Sequence, residues 1–211
     1  MTNSENGPPC KRPYELGRRL AASDQTREAV LAAARAQLES GGVRDVTMES
    51  LARAAGVTRQ TIHNLFGTRA ALLEALFDRL ALNAGMGRMR EVFMAPDGES
   101  MLARMVEVFS GFWSRERQVL RKIRAIAAIE PDFGEAVKAR DQRRHQIAER
   151  VVERLIAPRE GLTQEERSLK IAALVALTSF EFFDAFADSC GDAGQAKAWM
   201  IPVIRRAMGA P

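Results

Sequence analysis

LARAAGVTRQTIHNLF, residues Leu51 to Phe66, is the stretch whose reading decides the fold. It reads as two short helices joined by a turn of about three or four residues. Ala52 is small where the second helix must approach the first. Gly56 supplies the left-handed backbone that ends the first helix sharply, and Val57 fills the elbow behind it. Ile62, Leu65 and Phe66 then face a small core with Leu51 and Ala55. Arg59, Gln60, Thr61, His63 and Asn64 are left on the outward side of the second helix.

An exposed helix of this kind fits the major groove, with its N-terminal side chains against base edges. Arg donates bidentately to guanine, and Gln or Asn to adenine. Thr47, Thr58 and Thr68 each precede a predicted helix, where a hydroxyl caps the chain end and the positive dipole end favours phosphate. Double-stranded DNA is therefore the expected partner. Short helix pairs with a Gly turn also occur in proteins that never meet DNA, so spacing alone leaves that alternative open.

Outward from this motif the periodicity is helical throughout, and no alternating strand pattern emerges. Ser23 or Asp24 is expected to cap a helix that buries Val30, Ala34 and Leu38 and stops at Gly41-Gly42. After Gly67-Thr68 a longer helix starts at Arg69. Pro96-Asp97-Gly98 is a turn signal, followed by predicted helices over 99–113 and 115–128. Pro131 and Gly134 precede a charged helix over 135–156. A loop is read at 158–161, then a helix capped by Thr163 and running to Asp188. The last helix, 194–208, contains Pro202, where a kink is expected. The fold class is thus all-α. Residues 1–22 read as a disordered polar tail, 23–68 as a three-helix helix-turn-helix domain, and 69–211 as a helical ligand-binding and dimerisation domain.

Residues 26–73, TREAVLAAARAQLESGGVRDVTMESLARAAGVTRQTIHNLFGTRAALL, resemble the DNA-binding domain of the tetracycline-repressor (TetR) family of bacterial regulators. Thr47, the LARAAGV run, Thr61, Phe66, and Arg69 followed by Leu72-Leu73 carry the likeness. The resemblance implies a homodimer whose heads read a pseudo-palindromic operator while the C-terminal domains dimerise and bind an effector. It makes Thr58, Arg59 and Gln60 the start of the recognition helix, with Arg59 and Gln60 as base readers. Thr47, Thr61 and His63 would touch the DNA backbone, with Asn64 on the same face, and Arg69 would meet phosphate. His63 stands where the family usually has Tyr, Leu65 where it has His or Tyr, and Arg69 where it has Lys. Arg in place of Lys keeps the charge.

In the C-terminal part, Met101, Met105, Phe109, Phe112 and Trp113 are bulky, polarizable side chains that could line an apolar pocket. Ordinary core is the competing reading for each. The segment 171–186 is apolar around most of its circumference and must be covered on several sides. With the resemblance, Leu174, Leu177, Phe182, Phe186, Trp199, Val203 and Ile204 become the expected dimer interface. Thr178, Glu181, Asp184 and Asp188 fall on one stripe, read as a solvent face rather than a cation site. The alternating charges of 138–144 read as another solvated face.

Composition fits a soluble globular chain, with 46% hydrophobic and 27% charged residues. The net charge of +4 is skewed, since residues 1–70 hold ten Lys/Arg against seven Asp/Glu. That mild excess is compatible with phosphate binding. Cys10 and Cys190 are far apart, which suits a reducing compartment. No stretch has the roughly 18 apolar residues of a membrane span, and a cytoplasmic location is expected. His63 and His145 are the two histidines, neither with Cys, Asp or Glu at ligand spacing, so no metal and no cofactor is expected. With no phosphate loop and no grouped nucleophile and base, an enzyme is not expected. The function read from the sequence is a DNA-binding regulator, a repressor released by a small, largely apolar effector. The alternative is a DNA-binding protein controlled by a protein partner without any small ligand.

Overall fold

A computed structural model describes residues 12–157 and 162–209. Among them are ten α-helices, two 3-10 turns and no strand. The chain divides into two compact units after Leu72. The tail at 1–11, with Cys10, and the loop at 158–161 lie outside the described residues.

The N-terminal unit contains α1 (Arg12–Ser40), α2 (Met48–Ala54) and α3 (Arg59–Phe66), and the division falls inside α4 (Arg69–Asn83). α1 starts at Arg12, so Ser23 and Asp24 lie within the helix and cap nothing. Pro13 and Gly17 in the stretch 12–22 read as breaker signals, which hide its helical continuity from a periodicity reading. Val30, Ala34 and Leu38 are fully buried at four-residue spacing, together with Val46, Leu51, Ile62 and Leu72. Each Val, Leu or Ile among them contributes about 1.5–3 kcal/mol through burial.

The second unit consists of the rest of α4, α5 (Met89–Phe93), α6 (Gly98–Ile129), α7 (Pro131–Ile156), α8 (Gln164–Leu177), α9 (Phe180–Cys190) and α10 (Ala193–Met208). Asp97 caps α6 by accepting the Ser100 amide at 2.7 Å. The two helices expected over 99–128 are one, bent at Glu116, whose φ −107° and ψ 15° leave the helical region. Pro131 opens α7 rather than interrupting it, since a missing N–H costs nothing in a first turn. α6 and α7 pack as an antiparallel pair with backbones almost touching at both ends. A Cβ at Gly98 would lie 2.5 Å from Leu155 Cα, and one at Gly134 would lie 2.7 Å from the Ala127 carbonyl.

The helix expected from Thr163 to Asp188 is broken at Thr178-Ser179. Ser179 accepts the Phe182 amide at 3.1 Å and so caps a new helix. Thr178 turns its hydroxyl back to the Leu174 carbonyl at 2.7 Å and is fully buried. α10 is continuous through Pro202.

Candidate nucleic-acid interface and ligand cavity

α2 and α3 are fixed by their ends. Thr47 accepts the Ser50 amide at 3.1 Å and Thr58 the Thr61 amide at 3.0 Å. Thr68 does the same for Ala71 at 3.1 Å. Each such cap stabilises by about 1 kcal/mol. Gly56 and Gly67 have φ of +67° and +72°, the left-handed region that ends each helix abruptly.

With the ends set, Ile62 (0% exposed) and Phe66 (8%) point inward. Thr58, Arg59, Gln60, His63 and Asn64 are exposed, and Thr61 is half-buried. Gln60 donates to Asn64 Oδ1 at 2.8 Å, and the Thr58 and Thr61 hydroxyls are 2.9 Å apart. Arg59 has no hydrogen bond or ion pair among the described residues. At the other end of α3, Arg27 donates to the Leu65 carbonyl at 3.0 Å, and its guanidinium covers the Phe66 ring at 4.4 Å. This cationic clasp on a helix C-terminus was not singled out in the sequence, because Arg27 lies a whole helix away.

Leu65, read as core, and Arg69, read as a phosphate contact, are both partly covered. Leu65 is half-buried rather than core. Arg69 is half-buried, and its Nε donates to the Val46 carbonyl at 2.8 Å, tying the start of α4 to the loop before α2. Thr47 is exposed at the head of α2.

The second unit contains a cavity of about 210 Å³, partly open to solvent. Phe77, Asp78 and Ala81 of α4, Phe109, Phe112 and Trp113 of α6, and Arg140, Asp141, Arg143, Arg144 and Ile147 of α7 line it, with Met86. The aromatic wall is interlocked: Phe77 meets Phe112 edge-on at 5.7 Å, and Trp113 lies 4.7 Å from Phe112. Trp113 Nε1 donates to the Thr178 carbonyl at 3.1 Å. Of the five pocket residues expected, Phe109, Phe112 and Trp113 line the cavity. Met101 and Met105 do not; both are core, nearer the start of α6 along the same stripe.

The charged wall overturns another expectation. Arg140 and Arg144 are not on a solvated face; their side chains are 13% and 7% exposed. Arg140 reaches Asp78 at 2.8 Å, and Arg124 grips Asp141 with two bonds of 2.7 and 3.0 Å. Lys138, solvated beside Glu135, and Arg143 are exposed as read. The stripe of α8 and α9 is a solvent face only in part, with Glu181 and Asp188 exposed. Thr178 is buried, and Asp184 is held by Arg117 at 2.6 Å and Arg121 at 2.8 Å. Asp188, pulled below the usual carboxylate range by hydrogen bonding to Arg117, completes that lattice with Glu181 at 3.3 Å from Arg124.

Among the expected interface residues, Leu174 and Ile204 are fully buried within the chain and have no surface to offer. The helical pattern marks them as apolar but cannot say which neighbour covers them. Leu177, Phe182, Phe186 and Val203 are half-buried, Phe182 and Phe186 stack at 5.8 Å, and Trp199 is 56% exposed. Among the described residues no group of His, Cys, Asp and Glu could hold a metal ion, and no helix is long and apolar enough to cross a membrane.

Residues 30–76 match the family model of bacterial regulatory proteins, tetR family. The chain is 30% identical over 123 residues to the HTH-type transcriptional regulator EthR of Mycobacterium tuberculosis, covering 56% of this chain and 57% of that one. It is 38% identical over 105 residues to the HTH-type transcriptional regulator AlkX of the same species, covering 44% and 47%. The chain thus spans about half the length of the relatives it matches. Among solved structures, NalD of Pseudomonas aeruginosa, a secondary repressor of an efflux pump, superposes with a TM-score of 0.63 at 21% identity, covering 88% of this chain and 96% of that one. That likeness concerns the fold.

Proposed function

We propose that the chain, whose residues 30–76 match the family model of bacterial regulatory proteins, tetR family, is a member of that family and a homodimeric, DNA-binding transcriptional regulator. One observation carries the reading. α3 turns Arg59, Gln60, His63 and Asn64 to solvent while Ile62 and Phe66 are buried, and two positive-φ glycines and a Thr cap hold it in place. In the proposed complex α3 lies in the major groove. Arg59 and Gln60 read base edges, and Thr47, Thr58, Thr61, His63 and Asn64 touch the sugar–phosphate backbone. Arg69 supports the head through Val46 and adds positive charge toward phosphate.

Two copies would bind successive grooves about 34 Å apart on a pseudo-palindrome. Phe182, Phe186, Trp199 and Val203 supply the surface for that pairing. The protein acts as a repressor, and a small, largely apolar effector in the second unit's cavity favours the state that cannot bind DNA. An effector with equal affinity for both states would shift nothing. α4, which runs from Arg69 to Phe77 and Asp78 at the cavity, is the covalent route for the signal.

The test is a gel shift and footprint of the purified protein on intergenic duplexes flanking its gene. A pseudo-palindromic site protected at about 10⁻⁸ M or below is expected. Binding that never exceeds the affinity for random duplex, at any salt concentration, overturns the proposal.

A further inference from the structure

Resting on the reading that this cavity holds the effector, we infer that the ligand is a small monoanion, a carboxylate borne on an aromatic or short aliphatic body. The walls differ in character. α4 and α6 present Phe77, Phe109, Phe112 and Trp113, while α7 presents Arg140, Asp141, Arg143 and Arg144.

Three cations and two carboxylates line the space, but the carboxylates are already engaged. Asp78 accepts two bonds from Arg140, at 3.0 and 2.8 Å. Asp141 is taken bidentately by Arg124, which leaves Arg144 3.6 Å from it. Arg144 is only 6% exposed. One Nη donates to the Val175 carbonyl and to Thr178 Oγ1, both neutral acceptors, and its Nε is buried without a hydrogen-bond partner. Burial lowers its pKa, and nearby Arg124 adds to that, against the opposing pull of Asp141 and Glu181. Arg143, exposed on the same wall, has no ion pair or hydrogen bond among the described residues.

Arg144, out of water, shares its one near carboxylate, Asp141, with Arg124, so a further anion in the cavity would compensate its charge more fully. A carboxylate entering the cavity gains charge-assisted hydrogen bonds from Arg143 and the field of Arg144. A cationic ligand would instead add a further positive charge beside Arg143, which has no partner among the described residues, and Arg144, which shares Asp141 with Arg124. The aromatic wall takes the apolar body. The volume suits roughly one benzene ring with a short arm, given that a cavity of about 150 Å³ accepts benzene itself.

The experiment titrates the full chain by calorimetry with three ligands of one shape: phenylacetate, 2-phenylacetamide and 2-phenylethylammonium. Phenylacetate should bind roughly tenfold or more tighter than the amide, as a hydrogen bond to a charged group allows, and the ammonium weakest. Arg143→Ala and Arg144→Met should each erase most of that preference while weakening the amide far less than the acid. Circular dichroism confirms folding, and should Arg144→Met fail to fold, the exposed Arg143→Ala decides alone. Equal affinity for acid and amide, a preference for the ammonium, or a preference that survives Arg143→Ala overturns the anion assignment while the cavity remains the effector site. Binding of none of the three overturns both.

Discussion

Arg59→Ala isolates the proposed reading head better than any other single change. Arg59 is exposed, sits in the first turn of α3 and has no partner among the described residues, so the fold loses nothing with it. The thermal midpoint should stay where it is. A bidentate Arg–guanine pair contributes about 1–3 kcal/mol of discrimination. A homodimer spends that twice, so cognate binding should weaken by about 2–6 kcal/mol, or roughly 30-fold to 10⁴-fold. The assay is fluorescence anisotropy on the footprinted operator, on versions with each half-site position changed, and on random duplex, over a range of salt. The loss should appear on the cognate site, shrink to nothing on the operator already altered at the position Arg59 reads, and leave random-duplex binding nearly intact. A uniform loss on every duplex, with a salt slope shallower by about one per half-site, would show that Arg59 meets phosphate and that the role assignment is wrong. A lowered thermal midpoint would mean that α3 is not presented as described.

Arg69→Ala should behave in the opposite way: it lowers stability by about 1 kcal/mol through loss of the bond to Val46 and weakens all duplexes alike, checked by urea melts beside the same anisotropy series. Gly56→Ala should cost about 1–2 kcal/mol through backbone strain alone, because φ is +67° and nothing lies within 4 Å of the added carbon; chemical denaturation reads it. Trp199→Glu should yield a monomer in light scattering with the fold retained, since the side chain is 56% exposed in the single chain. Asp97 has its pKa lowered, first by the Ser100 amide. A depressed folded-state pKa means that its contribution is present at neutral pH and disappears as the pH falls through and below the ordinary aspartate range. Asp97→Ala should therefore narrow the stability gap between pH 7 and pH 3 relative to the parent chain, measured by urea midpoints.

How much of this was legible depended on whether the controlling forces were local. Thr47, Gly56, Thr58, Gly67 and Thr68 act on their own neighbours, so the helix-turn-helix and its outward face could be read directly. Arg140 and Arg144 were misread because alternating charge looks the same whether it faces water or partners on α4, α6 and α8. Thr178-Ser179 broke a helix that periodicity carries straight through, since a hydroxyl that returns to its own carbonyl leaves the apolar pattern untouched. Leu174 and Ile204 were assigned to a partner because their hydrophobicity says only that something covers them. Met101 and Met105 show the same limit for a pocket: sequence marks bulk, and only packing says which bulk borders empty space.

Gly98 and Gly134 make the α6–α7 seam a joint with zero clearance, where main chain rests on main chain at either extremity. In a library carrying every amino acid at every position, these two columns should stand empty of survivors even for alanine, whereas Gly87, with nothing near its missing side chain, should accept nearly anything. The glycines that matter here are thus marked by what lies opposite them, and a selection for soluble protein would recover that map without any knowledge of DNA or ligand.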